Sequence, residues 1–339
     1  MTASQPSPLV HQPRSRLALS WLIAFALAAV AVPMALRAAG FDSGLASWLL
    51  ALLPWFYLAL PVTLAVSLVT RRWIHAVASA ALVALAVMWL APLYMPNSQA
   101  VADASPAATP SGVASAEIRV ATINLKFGHG DVDQVIALVE SENLDILALQ
   151  ELPAKTAREL DAAGLSELMP YRIESKLNTS SGANGTALYS RTPLSDETKV
   201  EGYVHGVVAA TVTLGGEPST VIVAHPVSPR LPDTSDWSGE LRSLAALSEG
   251  FDGPVMVLGD LNSTWDHASF RALLDAGLVD AAEQAGAGYI PTFPSQFLPW
   301  PVTAIDHVLT RDVDFVASEY RSFTIEGTDH RGLVVVFDR

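Results

Sequence analysis

The sequence predicts a chain in two parts, with three membrane-spanning helices followed by an α+β domain in which strands and helices alternate. The first observation is composition: half of the 339 residues are hydrophobic and 16% are charged, whereas about a quarter of the residues of an ordinary soluble domain are charged. The second is distribution, because the long apolar runs all lie before residue 95 and most of the charge follows residue 116.

The predicted membrane anchor, residues 1–94, contains three apolar runs, at about residues 17–36, 44–69 and 73–94. Each reaches the length of about 18 apolar residues that marks a membrane span. The first could instead be a signal peptide behind Arg14 and Arg16, but its length and the two runs that follow favour a retained span. Pro54 and Pro61 interrupt the second run, so a kinked or re-entrant segment stays open there.

Positive charge around the runs predicts their orientation. Arg14 and Arg16 precede the first run, Arg71 and Arg72 separate the second from the third, and Arg37 alone lies between the first and the second. Cytoplasmic loops carry the excess of Lys and Arg. We therefore expect a multi-pass protein of the cell membrane, held in the lipid bilayer by its N-terminal helices, with everything after the third run outside the cytoplasm.

Residues 95–116 are rich in Ala, Ser and Pro, which predicts a flexible linker, and the domain covers residues 117–339. Five Arg and two Asp precede residue 117, so 15 basic and 32 acidic residues remain for the domain and its formal charge is about −17. Such a domain matches the DNA backbone poorly, although a bound divalent cation would change the local field. The chain has no cysteine and hence no disulfide.

The segment Pro254–Asn262 (PVMVLGDLN) contains the first candidate site. Val255–Leu258 predicts a buried strand, which ends in Gly-Asp-Leu-Asn. Asp260 and Asn262 are two residues apart and so point the same way in an extended chain. Taken alone, this segment is more typical of a turn than of an active site.

Polar residues recur at the ends of other predicted strands. The candidates are Asn124 at the end of Glu117–Asn124, Glu151 after Asp145–Leu149, His225 at the end of Thr220–His225, and Asp329 with His330 before Leu333–Phe337, while Asp306 lies within Thr303–Thr310. Strand ends along one edge of a sheet surround a common cleft, where loops carry the chemistry. Several carboxylates and an Asn suit Mg²⁺ or Mn²⁺, and His–Asp pairs suit the activation of water at a phosphate.

With these residues assembled, the domain resembles the endonuclease/exonuclease/phosphatase superfamily, which includes deoxyribonuclease I, abasic-site endonucleases, neutral sphingomyelinases and inositol polyphosphate 5-phosphatases. The resemblance covers roughly residues 117–337, and its motifs occur in the order found in the family. They are TINL (122–125), LQE (149–151), GTALYSRTPL (185–194), AHP (224–226), GDLN (259–262), IDHVL (305–309) and TDHRGL (328–333). The resemblance implies a deoxyribonuclease I-like, four-layer αββα sandwich.

The resemblance also implies roles for the candidates, beginning with a metal site for Mg²⁺ or Mn²⁺. Glu151 would be the principal ligand, with Asn124 and Asp329 nearby. Asp260 would orient or deprotonate the attacking water, and Asn262 would hold that water or a phosphate oxygen.

The remaining roles fall to three residues. His330, paired with Asp306, would stabilise the negative transition state, and His225 would contact the phosphate or assist the leaving group. Thr328 and Gly332 replace a Ser and a Pro that are common in the family, and neither change removes a catalytic group.

We therefore expect a membrane-anchored, divalent-metal-dependent phosphoesterase whose substrate is a lipid headgroup, a small phosphoester or a nucleic acid. Endonuclease or exonuclease activity on DNA or RNA is the alternative, and a non-catalytic membrane scaffold with the same fold is another. Transport by the apolar runs themselves is disfavoured because they contain almost no ionisable group. No protein partner is predicted. The aromatic, Pro-rich segment Tyr289–Trp300 either lines the substrate site, faces the membrane or packs over the core.

Overall fold

The computed structural model describes residues 14–96, 117–177, 185–296 and 298–338. The predicted linker lies outside the described residues from 97 to 116, as does the polar loop that the sequence predicts at residues 178–184. The described parts form a group of apolar helices and a two-sheet domain.

The apolar helices are Arg14–Ala38, Leu45–Ala51, Leu53–Phe56, Ala59–Val69 and Trp73–Tyr94. Two stretches, Arg16–Ala38 and Trp73–Tyr94, are long and apolar enough to cross a membrane. The second predicted span differs from a single straight helix, because it is divided into Leu45–Ala51 and Leu53–Val69 with a bend of 62°. The described residues thus contain two candidate spans, or three if the bent pair counts as one.

The bend has a local cause in the sequence. Pro54 stands in the first turn of the helix that begins at Leu53. Proline has no N–H to continue the hydrogen bonds of the preceding helix, whereas the first turn of a new helix tolerates it. The bent pair of helices therefore matches the kinked or re-entrant segment that the sequence left open.

The domain contains two six-stranded sheets and short helices. The strands are β1 (Ile118–Asn124), β2 (Ile146–Gln150), β3 (Tyr171–Glu174), β4 (Thr186–Ser190), β5 (Leu194–Val200), β6 (Val207–Leu214), β7 (Glu217–Val223), β8 (Val255–Asp260), β9 (Val279–Asp280), β10 (Asp306–Arg311), β11 (Val316–Thr324) and β12 (Arg331–Asp338). The helices are Val132–Glu142, Ala154–Ala162, Leu165–Leu168, Ser235–Glu249, Ala268–Asp275 and Ala281–Gln284.

The strand order is β11-β12-β1-β2-β4-β3 in one sheet and β5-β6-β7-β8-β10-β9 in the other. The pairs β1–β2 and β7–β8 are parallel, and the other pairs are antiparallel. Each sheet therefore has a central parallel pair flanked by antiparallel strands, and the domain is an α+β fold as expected.

Alternation along the central strands produces the layers. In β8, Met256 and Leu258 enter the core between the sheets, whereas Val257 packs under the helices on the outer face. Strand β1 belongs to the other sheet. Its Val120 enters the same inter-sheet core, and its Ile123 packs under the helices on the outer face of that sheet. Strands buried on both faces read as unbroken apolar runs. The result is two sheets face to face with helices outside each.

Some predicted elements differ from the structure. The strand that follows IDHVL in the chain, β11, pairs with β12 and not with the IDHVL strand. The IDHVL strand itself begins at Asp306 and not at Thr303, because Thr303 forms an isolated bridge to Phe293 instead. Strand β5 was missed because its exposed sequence, LSDETKV, has no apolar alternation.

The apolar helices pack directly against the domain. Arg37 Nε lies 2.6 Å from Asp266 Oδ1, and Asp42 accepts a hydrogen bond of 2.7 Å from the backbone N–H of Ser269. At the opposite end of the helices, Arg72 donates to the carbonyl of Arg16. The domain therefore lies at the end of the helix group away from Arg16 and Arg72.

Candidate active site

Sheet pairing brings the predicted site residues to one edge of the two sheets. Asn124 ends β1 beside Gln150 of the parallel strand β2, which places Glu151 immediately beyond. In the other sheet, Asp306 pairs directly with Asp260 across β10 and β8. Because the sheets stack face to face, the two groups of strand ends open on a common cleft.

Asp260 is at the centre of this cleft. Its side chain accepts 2.9 Å hydrogen bonds from Asn124 Nδ2 and from the backbone N–H of Asn262. His225 Nε2 lies 3.5 Å and His330 Nε2 lies 3.6 Å from Asp260 Oδ2. Burial would raise the pKa of Asp260, but His330, His225 and Asn124 together hold that pKa below its usual range. The carboxylate is therefore ionised at neutral pH.

His330 is fixed between two carboxylates. Its Nδ1 lies 2.9 Å from Asp306 Oδ2, and its backbone N–H donates to Thr328 Oγ1 at 3.1 Å. Burial would lower the pKa of His330, but Asp306 and Asp260 outweigh burial and raise the pKa to about 10. His330 is therefore an imidazolium at neutral pH, suited to stabilise negative charge in the cleft.

His225 contacts a second histidine, His205, which the sequence analysis did not select as a candidate. The ring centroids of His225 and His205 are 4.3 Å apart. Burial, with the neighbouring His225, lowers the pKa of His205 to about 4. The Nδ1 atoms of both rings are buried and have no hydrogen-bond partner among the described residues. His205 precedes β6 and His225 follows β7, and the antiparallel register of these two strands brings both residues to one end of the pair.

The predicted metal ligands lie on the other side of Asp260. Asn124 Nδ2 also donates to Glu151 Oε1 at 3.2 Å, and Glu151 Oε2 accepts 2.8 Å from the backbone N–H of Phe127. Asp329 is linked to this group through Lys126, whose Nζ lies 3.7 Å from Asp329 Oδ2 and whose backbone N–H donates to Asn124 Oδ1. Lys126 is a second residue that the sequence reasoning did not select.

The donor chemistry of the cleft fits a hard divalent cation. One compact group of possible ligand atoms is that of Asp260, Asp306 and His330, within 4.8 Å of one another. An imidazolium cannot coordinate a metal, because a ligating histidine must be neutral. The oxygen-rich side, Glu151 and Asn124 beside Asp260, therefore suits Mg²⁺ or Mn²⁺ better than the group that includes His330.

Backbone conformation reinforces the assignment of two residues. Glu151 and Asn262 have φ of 52° and 49°, in the left-handed region that non-glycine residues seldom occupy. Such conformations concentrate at functional sites. Asn262 Nδ2 donates to the carbonyl of Pro226 at 3.0 Å, and its own carbonyl accepts from Trp237 Nε1 at 2.9 Å. Both contacts fix the turn that directs Asp260 into the cleft.

The aromatic segment that the sequence left open reaches the site. Phe293 stacks 4.8 Å from His330, and the backbone N–H of Ser295 donates to the carbonyl of Asp329 at 2.7 Å. His307, in contrast, faces away from the cleft and lies 2.8 Å from Asp280 in the core. The structure thus brings all eight predicted site residues to one cleft, where their individual roles stay predictions.

A sequence profile described as "Endonuclease/Exonuclease/phosphatase family" matches residues 121–330. The chain belongs to this family, whose members are phosphodiester hydrolases. A search of curated proteins found no match.

Solved structures share the fold. A humanized D. rerio TDP2 carrying 14 mutations has a TM-score of 0.55 at 15% identity, covering 66% of this chain and 100% of that one. An AP endonuclease from Archaeoglobus fulgidus has a TM-score of 0.55 at 18% identity, with coverages of 66% and 100%. A 3'-5' exonuclease (NExo) from Neisseria meningitidis has 0.53 at 21% identity, with the same coverages.

Proposed function

We propose that this protein is a membrane-anchored, divalent-metal-dependent phosphoesterase that acts outside the cytoplasm. The observation that carries the proposal is the buried arrangement of Asp260 between His330 and His225, beside the oxygen-rich pair of Asn124 and Glu151. The substrate class is a phosphate ester: a lipid headgroup, a small phosphoester or a nucleic acid.

Each of these side chains of the cleft has its own role in hydrolysis. Asp260, which is ionised and buried, orients a water molecule and accepts its proton as the oxygen attacks phosphorus. His330, held as a cation by Asp306, stabilises the charge that develops on the phosphate oxygens. His225 contacts the phosphate or the leaving oxygen, and Asn262 holds the water or a phosphate oxygen. A cation held by Glu151 and Asn124, with Asp329 nearby, would supply Lewis-acid stabilisation of that charge.

The location rests on charge and on packing. Arg72 contacts the backbone of Arg16 at one end of the helix group, whereas the domain contacts Arg37 and Leu93 at the other end. Because Lys and Arg mark the cytoplasmic ends of spans, the domain would face the extracytoplasmic side. The single arginine on that side, Arg37, is neutralised by Asp266.

The test uses the purified full-length chain in detergent with bis-p-nitrophenyl phosphate. Hydrolysis should require Mg²⁺ or Mn²⁺, stop with a chelator and resume when the metal is restored. Asp260→Asn should lower kcat by about 10²–10⁴-fold, the range for loss of a general base. Asp275→Asn, at an exposed helix end, is the matched control and should keep full activity.

Two results would contradict the proposal. A folded Asp260→Asn variant with full activity would exclude the water-activating role. A wild-type chain with neither hydrolysis nor divalent-ion binding by calorimetry would favour the non-catalytic scaffold.

A further inference from the structure

A cavity of about 610 Å³ lies between the bent apolar helices and the domain. Its volume is within the range of about 300–1,000 Å³ that small-molecule sites occupy. Most of its wall is apolar, and the apolar lining residues include Trp48, Ala51, Leu52, Phe293, Val302 and Ile305. Because the cavity is large enough for a small molecule and its wall is mostly apolar, it suits an apolar group of a ligand.

One wall of the cavity comes from the membrane anchor. Ser47, Trp48, Ala51 and Leu52 all lie at the bend between the helices Leu45–Ala51 and Leu53–Val69. Contacts to the domain hold this bend in place: His267 Nε2 lies 2.7 Å from the carbonyl of Ser47, and Trp48 Nε1 donates to the carbonyl of Pro229 at 3.3 Å. The bend therefore positions an apolar surface against the domain.

The opposite wall leads to the catalytic cleft. Asn262 lines the cavity and donates its backbone N–H to Asp260. Phe293 also lines it, and its ring stacks on His330. The cavity therefore adjoins the cleft at Asn262 and Phe293, so a ligand group in the cavity lies beside Asp260 and His330.

Two exposed apolar side chains line the cavity, one from the domain and one from the anchor. Leu231 of the domain is 46% exposed. Trp48 of the anchor is 54% exposed. Exposed apolar groups at a membrane boundary suit the bilayer interface, where tryptophan is enriched. Arg230, also exposed, adds a guanidinium group to the wall.

Resting on the proposed function, we propose that the substrate is a membrane phosphodiester lipid whose apolar tail occupies this cavity while its phosphate reaches the cleft. Water attack on phosphorus breaks one P–O ester bond and adds H and OH across it, releasing an alcohol and a phosphate monoester. The tail contributes binding because its transfer from water to the apolar wall is favourable by about 0.8 kcal/mol per buried CH₂. The acidic domain and the apolar wall both disfavour a nucleic acid in this position.

The first test compares substrates that release the same p-nitrophenol. The full-length chain, in detergent micelles, is given bis-p-nitrophenyl phosphate and diacylglycero-phospho-p-nitrophenol with short, medium or long acyl chains. We expect kcat/KM to rise with acyl length through a falling KM. Equal values across the series, or faster hydrolysis of single-stranded DNA than of any lipid, would overturn the lipid proposal. If the wild-type chain hydrolyses neither the lipids nor bis-p-nitrophenyl phosphate, the result would count against the proposed function instead.

The second test fills the cavity. Ala51→Phe places a ring in the wall, and Ala80→Phe makes the same change at an exposed position of the helix Trp73–Tyr94. We expect Ala51→Phe to lower kcat/KM for the long-chain lipid by at least about tenfold, the effect of an overpacking cost above about 1.4 kcal/mol. Ala80→Phe should leave the hydrolysis of both substrates unchanged.

The pattern of the two variants decides the result. Full lipid activity in Ala51→Phe would overturn the proposal, as would an equal loss in Ala51→Phe and Ala80→Phe. If Ala51→Phe loses activity on both substrates through misfolding, the acyl-length series on the wild-type chain decides alone.

Discussion

His267 couples the membrane anchor to the domain through an imidazole that must stay neutral. Its Nε2 lies 2.7 Å from the carbonyl of Ser47 and therefore donates, while its Nδ1 accepts 2.9 Å from the backbone N–H of Thr264. Protonation of the ring would add a hydrogen to Nδ1, which would then oppose the Thr264 N–H instead of accepting its hydrogen bond. Burial lowers the pKa of His267 from 6.5 to about 4.

The sign of the pH effect follows from this depression of the pKa. Between pH 6.5 and about 4 the unfolded chain binds a proton at His267 and the folded chain does not, so acid favours unfolding. The contribution is fully present above pH 6.5 and is lost as the pH falls toward 4. At roughly 1.4 kcal/mol per pH unit, the loss is about 3 kcal/mol.

The assay is denaturant unfolding of the full-length chain in detergent, followed by tryptophan fluorescence, near pH 7 and near pH 4. His267→Asn keeps an acceptor for Thr264 but cannot titrate, so the stability difference between wild type and variant should shrink by about 3 kcal/mol on acidification. His129→Asn, at an exposed histidine, should leave the wild-type pH dependence intact. A wild-type-minus-His267→Asn difference that is equal at both pH values would refute the reasoning.

Three further perturbations test the site and its support. Asp306→Asn removes the carboxylate 2.9 Å from His330 Nδ1 and should lower kcat at neutral pH by about 10²-fold with little change in KM, measured with bis-p-nitrophenyl phosphate. A wild-type kcat in Asp306→Asn would show that the role of His330 does not depend on Asp306. Arg37→Met leaves Asp266 buried and unpaired and should destabilise the chain by about 3–5 kcal/mol, whereas adding Asp266→Leu should recover much of that loss. Additive losses in the double variant, by denaturant titration, would argue against a coupled pair. Gly259→Ala places a methyl group 1.9 Å from the carbonyl oxygen of Ala224 at a φ of +148°, so β7 and β8 must separate. We expect a loss of stability of about 3–5 kcal/mol and of activity; an unchanged melting temperature would contradict that close approach.

Local pattern was enough to predict the central strands and the polar residues at their ends. Val255–Leu258 in β8 is an unbroken apolar run of neighbouring residues, which is the pattern of a strand buried on both faces. The helix Val132–Glu142 also begins for a local reason, because Asp131 accepts from the backbone N–H of Gln134 as its N-cap. Exposed strands such as β5 leave no apolar pattern and were not predicted.

The catalytic candidates of this protein were determined by sequence alone, because residues such as Asp260 and Glu151 follow apolar strands at which an unpaired polar group would be costly. Tertiary structure decided which groups meet them. His205 reaches His225 because β6 pairs with β7, and Lys126 reaches Asp329 because β1 pairs with β12. Asn124 meets Asp260 because the two sheets stack face to face. The cavity, likewise, exists only because the bend after Ala51 packs against loops more than 170 residues away in the chain. Hydrophobic periodicity encodes a residue's own element, whereas contacts between distant elements depend on sheet order and packing.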